Sequence, residues 1–173
     1  MNIVACDREH HAAAILGILN DAIVHSTALF DYEPRPLQSM VEWFRAKEAR
    51  RFPVLGAVAD DGTLLGFATY GTFRAWPAYK YTIEHSVYVH QDHRRRGVAR
   101  QLMQRLIATA EQQDYHVMVA GIDAANAASI ALHEQLGFVR AGVIHHAGFK
   151  FGRWLDLALY ELRLSTPAQP VDR

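Results

Sequence analysis

At 173 residues, half of them apolar and 21% charged, the chain has the make-up of an ordinary globular protein large enough for a sizeable core. Eighteen basic residues balance eighteen acidic ones, so a general attraction to nucleic acid or to an anionic membrane is not expected and any basic patch must be local. The single cysteine, Cys6, excludes an internal disulfide and a multi-cysteine zinc site, and reads as a small buried residue rather than a catalytic thiol.

In chain order, "NIVAC" reads as a short buried strand, and Asp7 can cap a helix that carries Ile15, Leu16, Leu19, Ala22 and Ile23 on one face. "STALFDYEPRP", with its two prolines, is a loop. "LQSMVEWFRAKEARR" is a second amphipathic helix, with Met40, Val41, Phe44 and the stretch from Ala46 to Ala49 partly inward. "FPVLGAVAD" and "LLGFATYGTF" are strands joined by a hairpin at "DDGT". "YTIEHSVYVH" is a longer strand rich in β-branched and aromatic residues, and "GVARQLMQRLIATAEQQ" is a helix with Val98, Leu102, Leu106 and Ala110 spaced by four. "HVMVAGI" has the continuous apolar character of a strand covered on both faces. Asn126 can cap the helix "AASIALHEQL", and Gly137 stands where a helix C-terminus favours glycine. "VRAGVIHHAGF" and "WLDLALYELRL" are two final strands. The order implies one α/β (or α+β) domain over residues 1–164, a mixed sheet with helices on both faces, followed by a polar tail, 165–173, expected to be disordered. The N-terminus lacks the pattern of a signal peptide and no apolar run approaches the ~20 residues that span a bilayer, so no membrane is expected and cytoplasm is the default.

"HRRRGVARQLMQRL" places four arginines (Arg94, Arg95, Arg96 and Arg100) around Gly97 at a strand-to-helix junction. The first turn of a helix leaves about four N–H groups unpaired and carries partial positive charge. Basic side chains are disfavoured there by ~0.3–1 kcal/mol each, unless an anion occupies the turn. Phosphate is the usual guest, and glycine lets it approach the backbone. The chain has neither G-x-x-x-x-G-K-S/T nor G-x-G-x-x-G, which removes the P-loop and the main support for a dinucleotide fold. A solvated arginine run remains the plain alternative.

The run Arg94-Arg95-Arg96-Gly97-Val98-Ala99 matches the Q/R-x-x-G-x-G/A pyrophosphate signature of the GNAT superfamily of acetyl-CoA-dependent N-acetyltransferases. With it, "TIEHSVYVHQDHRRRG", "HVMVAGIDAANAASIALHEQLGF" and "GFKFGRWLDL" resemble the branch that acetylates phosphinothricin, methionine sulfoximine and methionine sulfone. "EHSVYV" and "KFGRWLDL" resemble the methionine-derivative members more closely. The resemblance implies a sheet splayed at its fourth strand, where the pantetheine arm of acetyl-CoA pairs with Val87, Tyr88 and Val89. The pyrophosphate would lie on N–H groups from Arg95 to Arg100, with Arg94, Arg96 and Arg100 supplying charge and Gly97, Val98 and Ala99 forming the turn. Asn126 and Ser129 would be further coenzyme contacts, although Asn126 also reads as a helix cap.

Acetyl transfer to an amine needs a base, and Glu84, in an otherwise apolar strand, is the candidate. Burial would raise its pKa usefully; a salt bridge to a nearby arginine is the other reading. His133 stands where many members carry a tyrosine that protonates the leaving thiolate, so it is either that acid or a packed helix histidine. Arg74, at the end of the third strand, can grip a carboxylate. Ala75 and Trp76 beside it, with Tyr79 and with Phe30 and Tyr32 from the loop after the first helix, would shape the acceptor pocket. The branch implies direct attack in a ternary complex, no metal, and a homodimer built through "GFKFGRWLD". Two alternatives stand beside this: a family member acting on another small amine or a peptide N-terminus, and a nucleic-acid-binding domain using the arginine turn, which the neutral charge opposes. The ten histidines form no H-E-x-x-H, which argues against a metal hydrolase.

Overall fold

The computed structural model describes residues 1–172 and contains seven strands and four α-helices in the order read from the sequence. They are β1 Asn2–Ala5, α1 Arg8–His25, α2 Ser39–Ala49, β2 Val54–Val58, β3 Leu64–Thr72, β4 Thr82–Val89, α3 Val98–Gln112, β5 Val117–Asp123, α4 Ala127–Gln135, β6 Val139–Lys150 and β7 Arg153–Arg163. The seven strands form one mixed sheet in the order β1-β2-β3-β4-β5-β7-β6, in which β4 and β5 are parallel. By density of contacts the chain falls into two compact units, Met1–Tyr70 with Ser86–Leu106, and Gly71–His85 with the residues from Ile107 on.

In the first unit, Asp7 accepts a hydrogen bond from the His10 amide at 2.7 Å and so starts α1. The buried residues of α1 include all five expected ones, Ile15, Leu16, Leu19, Ala22 and Ile23. Ile15, Leu16 and Leu19 pack with Met40 and Phe44 of α2, Val54 of β2 and Leu64 and Phe67 of β3. The inward face of α2 is narrower than its sequence suggests: Met40 and Phe44 are buried, whereas Ala46 and Ala49 are exposed. Lys47 lies half-buried between the Trp43 and Phe52 rings and donates from Nζ to the Tyr70 carbonyl at 2.7 Å. Cys6 is half-buried and its thiol is pushed up to about 12 by burial, which suits packing and not nucleophilic work. The "DDGT" hairpin forms with Gly62 at φ +89°, a left-handed backbone that glycine adopts without penalty. Gly66 of β3 has a different reason to be glycine. A Cβ there would lie 2.7 Å from the Tyr88 carbonyl oxygen and 3.1 Å from Val89 Cα, so β4 could not come this close.

In the second unit, β5 pairs antiparallel with β7 along its whole length, and β7 with β6. Ile83, Met118, Ala120, Phe138, Leu155 and Ala158 are buried there. The parallel pairing of β4 with β5 covers only Thr82, Ile83 and Glu84, which face Val117, Met118 and Val119. Past that point β4 has no partner residue on β5 among the described residues, the splay that the resemblance implied. In β6, His145, His146 and Ala147 bulge opposite the single residue Asp156 of β7. The Asp156 carboxylate accepts from the His146 amide and pairs with the His145 ring, both at 2.9 Å. The β6–β7 turn has Phe151 and Gly152 at φ +51° and +71° and presents exposed Phe149, Phe151 and Trp154. Beyond β7, Thr166 Oγ1 donates to the Tyr115 carbonyl at 2.6 Å, and the Val171 amide donates to the Tyr81 hydroxyl at 3.1 Å.

Candidate active site

The arginine turn belongs to the first unit. After β4, a short 3₁₀ turn at Gln91–His93 leads to Arg94, and the backbone is left-handed at Arg95 (φ +60°) and again at Gly97 (φ +76°). A Cβ on Gly97 would meet nothing within 4 Å in the protein. The turn therefore asks for glycine through its backbone angle, and the space beside Gly97 is open to a ligand. The first helical bond of α3 runs from the Gln101 amide to the Gly97 carbonyl at 3.1 Å, so the N–H groups of Val98 and Ala99 precede it. Arg95, Arg96 and Arg100 are exposed. Arg94 is turned back on the protein: its Nε donates to the Val89 carbonyl at 3.3 Å and its Nη2 meets Asp21 of α1 at 3.5 Å. The four arginines, alike in sequence, are thus not alike in place. Val87, Tyr88 and Val89 are half-buried at the end of β4. Successive N–H groups beside left-handed residues, at a helix N-terminus ringed by guanidinium groups, suit a diphosphate.

In the same unit the loop between α1 and α2 carries Phe30 and Tyr32, both exposed. It is held by Asn20 of α1, whose side chain donates to the Arg35 carbonyl at 3.0 Å and accepts from the Arg35 amide at 2.8 Å. Arg35 also pairs with Asp31 at 2.6 Å. Nothing in the sequence marks Asn20 for this, because its partner lies fifteen residues away across an irregular loop.

The second unit holds Glu84, Arg74 with its neighbours, and the start of α4. Glu84 is half-buried, and its Oε1 lies so near Gly121 of β5 that a Cβ there would be only 3.3 Å away. Burial raises its carboxyl above the ordinary range, and the Arg74 charge partly opposes the rise. The two readings of Glu84, buried base and arginine partner, are thus both visible, with desolvation the larger effect. Arg74 is exposed, stacks over the Phe73 ring at 4.4 Å and donates to the Phe73 carbonyl. Ala75 and Trp76 follow it, both exposed, before a 3₁₀ turn at Pro77–Tyr79. Asn126 caps α4, accepting from the Ser129 amide at 3.1 Å.

His133 is buried, and both of its ring nitrogens are engaged. Nδ1 lies 2.7 Å from the Ser129 carbonyl oxygen and Nε2 lies 3.1 Å from Nε2 of His85. Burial lowers the pKa of His133, with the Ser129 bond opposing, and holds His85 down to about 3. A neutral, fully engaged imidazole has no free N–H for a departing thiolate. His85 is the residue that the sequence reading passed over, visible there only as one of ten histidines. Among the described residues no helix is long and apolar enough to cross a membrane, and no three His, Cys, Asp or Glu residues are grouped to hold a metal.

Residues 20–138 match the family model described as the acetyltransferase (GNAT) family. Among curated proteins, the L-methionine sulfoximine/L-methionine sulfone acetyltransferase of Pseudomonas paraeruginosa is 45% identical over 150 residues, covering 87% of each chain. The L-amino acid N-acyltransferase MnaT of Escherichia coli is 39% identical over 94% of each. Among solved structures, a GNAT phosphinothricin acetyltransferase of Sinorhizobium meliloti in complex with acetyl-CoA superposes with a TM-score of 0.93 at 27% identity, covering 98% of this chain and 91% of the other. With a seven-stranded sheet whose parallel pair parts after Glu84 and a left-handed arginine–glycine turn opening α3, the chain belongs to the GNAT acetyltransferase family and is an acetyl-CoA-dependent N-acetyltransferase.

Proposed function

We propose that this enzyme acetylates the α-amine of a free amino-acid analogue of the methionine sulfone, methionine sulfoximine or phosphinothricin type. The observation that carries the reading is Glu84, a carboxylate with its pKa raised by burial and with Arg74 as the charge that opposes the rise. A free amino acid offers an ammonium for the first and a carboxylate for the second. The names of the relatives support the same class of acceptor.

Acetyl-CoA supplies the thioester. Its pyrophosphate is held by N–H groups from Arg95 to Arg100, with Gly97, Val98 and Ala99 forming the turn and Arg96 and Arg100 adding charge, and its pantetheine arm by the backbone of Val87, Tyr88 and Val89. Arg94 acts less through charge than by tying the end of β4 to α1. Asn126 and Ser129 at the start of α4 serve the coenzyme as well as the helix. Glu84 takes the ammonium proton, and the freed amine attacks the thioester carbonyl directly in a ternary complex; the C–S bond then breaks, and the thiolate that leaves is neutralised by the proton the nitrogen sheds on becoming an amide. His133 is assigned no proton step, because both of its nitrogens are committed within the protein. Phe30, Tyr32, Ala75 and Trp76 contribute to acceptor binding. The exposed Phe149, Phe151 and Trp154 supply the apolar area of a homodimer contact, and the enzyme works in the cytoplasm as a single domain over residues 1–164.

The test is a thiol-release assay with acetyl-CoA, run across methionine sulfone, methionine sulfoximine, phosphinothricin, methionine, polyamines and a peptide. Turnover is expected with the amino-acid analogues and not with polyamines, which lack the carboxylate. Turnover confined to the peptide would refute the acceptor assignment.

A further inference from the structure

Glu84 is the last residue of β4 that pairs with β5. His85 follows it, and strand alternation turns its side chain to the opposite face. There its ring lies nearly parallel to that of His133, with centroids 5.0 Å apart and planes 17° from parallel, and Phe138 meets both rings edge-on. Two imidazole nitrogens 3.1 Å apart share one proton. Ser129 decides where it comes from. Its carbonyl oxygen can only accept, so His133 carries its proton on Nδ1 and, as a neutral ring, offers a lone pair at Nε2. His85 must then be protonated at Nε2, which leaves Nδ1 as a buried acceptor. That nitrogen is the buried side-chain atom without a hydrogen-bond partner among the described residues. An unmatched acceptor is easier to bury than an unmatched N–H, so this tautomer pair is also the one the burial favours.

We infer that His85 and His133 are positioning residues: a pair of opposite tautomers that holds β4 to α4 beside Glu84, where the backbone ladder to β5 has ended. The bonds run without a break. His85 Nε2–H donates to His133 Nε2, His133 Nδ1–H donates to the Ser129 carbonyl, and the Ser129 amide donates to Asn126 Oδ1. The strand that carries the base is thereby tied to the first turn of α4. The pair acts on the reaction through the place of Glu84 alone, and in this it rests on Glu84 being the base. Misplacing a reacting group by about 1 Å costs up to about a hundredfold in rate, so a loosened β4 should show in kcat.

Two measurements on the full-length protein test this. Two-bond proton–nitrogen NMR of histidine-labelled protein, assigned with His85→Gln and His133→Gln, reads the tautomers without any turnover. At neutral pH, His133 should be protonated at Nδ1 and His85 at Nε2; a shared tautomer, or an imidazolium, overturns the pairing. In kinetics, His85→Leu should lower kcat about tenfold with both KM values within about twofold. His133→Gln, which can still donate to Ser129 and accept from His85, should stay within about threefold of the parent and keep the shape of its pH–kcat profile. Unchanged kcat in His85→Leu reduces the pair to core filler. A large loss in His133→Gln with the basic limb altered makes His133 a proton donor instead. Should His85→Leu fail to fold, His133→Gln and the spectra still decide. A Glu84→Gln enzyme with parental turnover would remove the base and leave the tautomers as found, so the two failures are distinct.

Discussion

Acidification should loosen this protein through its buried histidine pair. In the unfolded chain a histidine titrates near 6.5, whereas burial holds His85 down to about 3 in the fold. The unfolded state therefore binds a proton that the folded state refuses. Stability from this source is complete above about pH 6.5 and falls as the pH drops toward the folded value. From about pH 7.5 to about pH 5 the loss from His85 alone comes to roughly 2 kcal/mol, and His133, also lowered by burial, adds in the same sense. Against domain stabilities of about 5–15 kcal/mol that is a large fraction. Other groups work elsewhere or the other way. Glu84, raised by burial, gains on acidification and so works against the histidines. His10, raised by its bond to Asp7, also gains as the pH falls, but it is fully exposed and screened. Asp7, Asp61 and Asp156 are lowered, mainly by backbone amides, so their contributions disappear only below the ordinary aspartate value of 3.8. Urea unfolding at the two pH values reads the effect as a shift in midpoint at constant slope. The comparison is the double variant His85→Phe/His133→Leu, in which both partners become apolar together. Its stability should vary less between the two pH values, by about the amount worked above. If it falls as far as the parent, the histidines are not the source and the buried-pair reasoning is wrong.

Three further outcomes follow from the site. Glu84→Gln should lower kcat by about 10²–10⁴ with the acetyl-CoA KM within about twofold, and should erase an acidic limb of kcat/KM that lies above the ordinary carboxylate value because burial raises Glu84; steady-state pH profiles of the two enzymes decide. Arg74→Ala should raise the acceptor KM about tenfold or more and leave that of acetyl-CoA alone, and an unchanged acceptor KM sinks the carboxylate grip. Gly66→Ala places a Cβ 2.7 Å from a backbone carbonyl of β4, so thermal unfolding should show a loss of about 1–3 kcal/mol.

The succession of strands and helices was legible because each carries its own period and punctuation. Asp7, Gly62 and Asn126 cap or turn the chain through bonds to residues two to four positions away, and such local chemistry is written in the sequence. What comes from far along the chain is not. Gly97 was expected to be glycine for the closeness of a ligand, and its positive φ gives a second reason that no neighbouring letter reveals. Arg94 looked like one charge among four. Its guanidinium goes to Asp21, seventy-three residues away, and a run of identical side chains cannot say which of them will be claimed.

The same limit explains why His133 was read as a candidate acid and His85 was passed over. The resemblance puts His133 where many family members carry a tyrosine that protonates the leaving thiolate, and histidine is a side chain suited to that work. Whether it can donate depends on both nitrogens, and their partners are a carbonyl four residues back and a ring forty-eight residues away. The first could be guessed from helix geometry and the second could not. Strand alternation, by contrast, is written in the sequence, and it separates Glu84 from His85 as surely as any contact. One face of β4 takes the carboxylate, and the next residue turns away from it toward α4. β4 stays paired with β3, but its ladder to β5 ends at the reactive residue, and on that side the adjacent position is the nearest place from which a side chain can hold it.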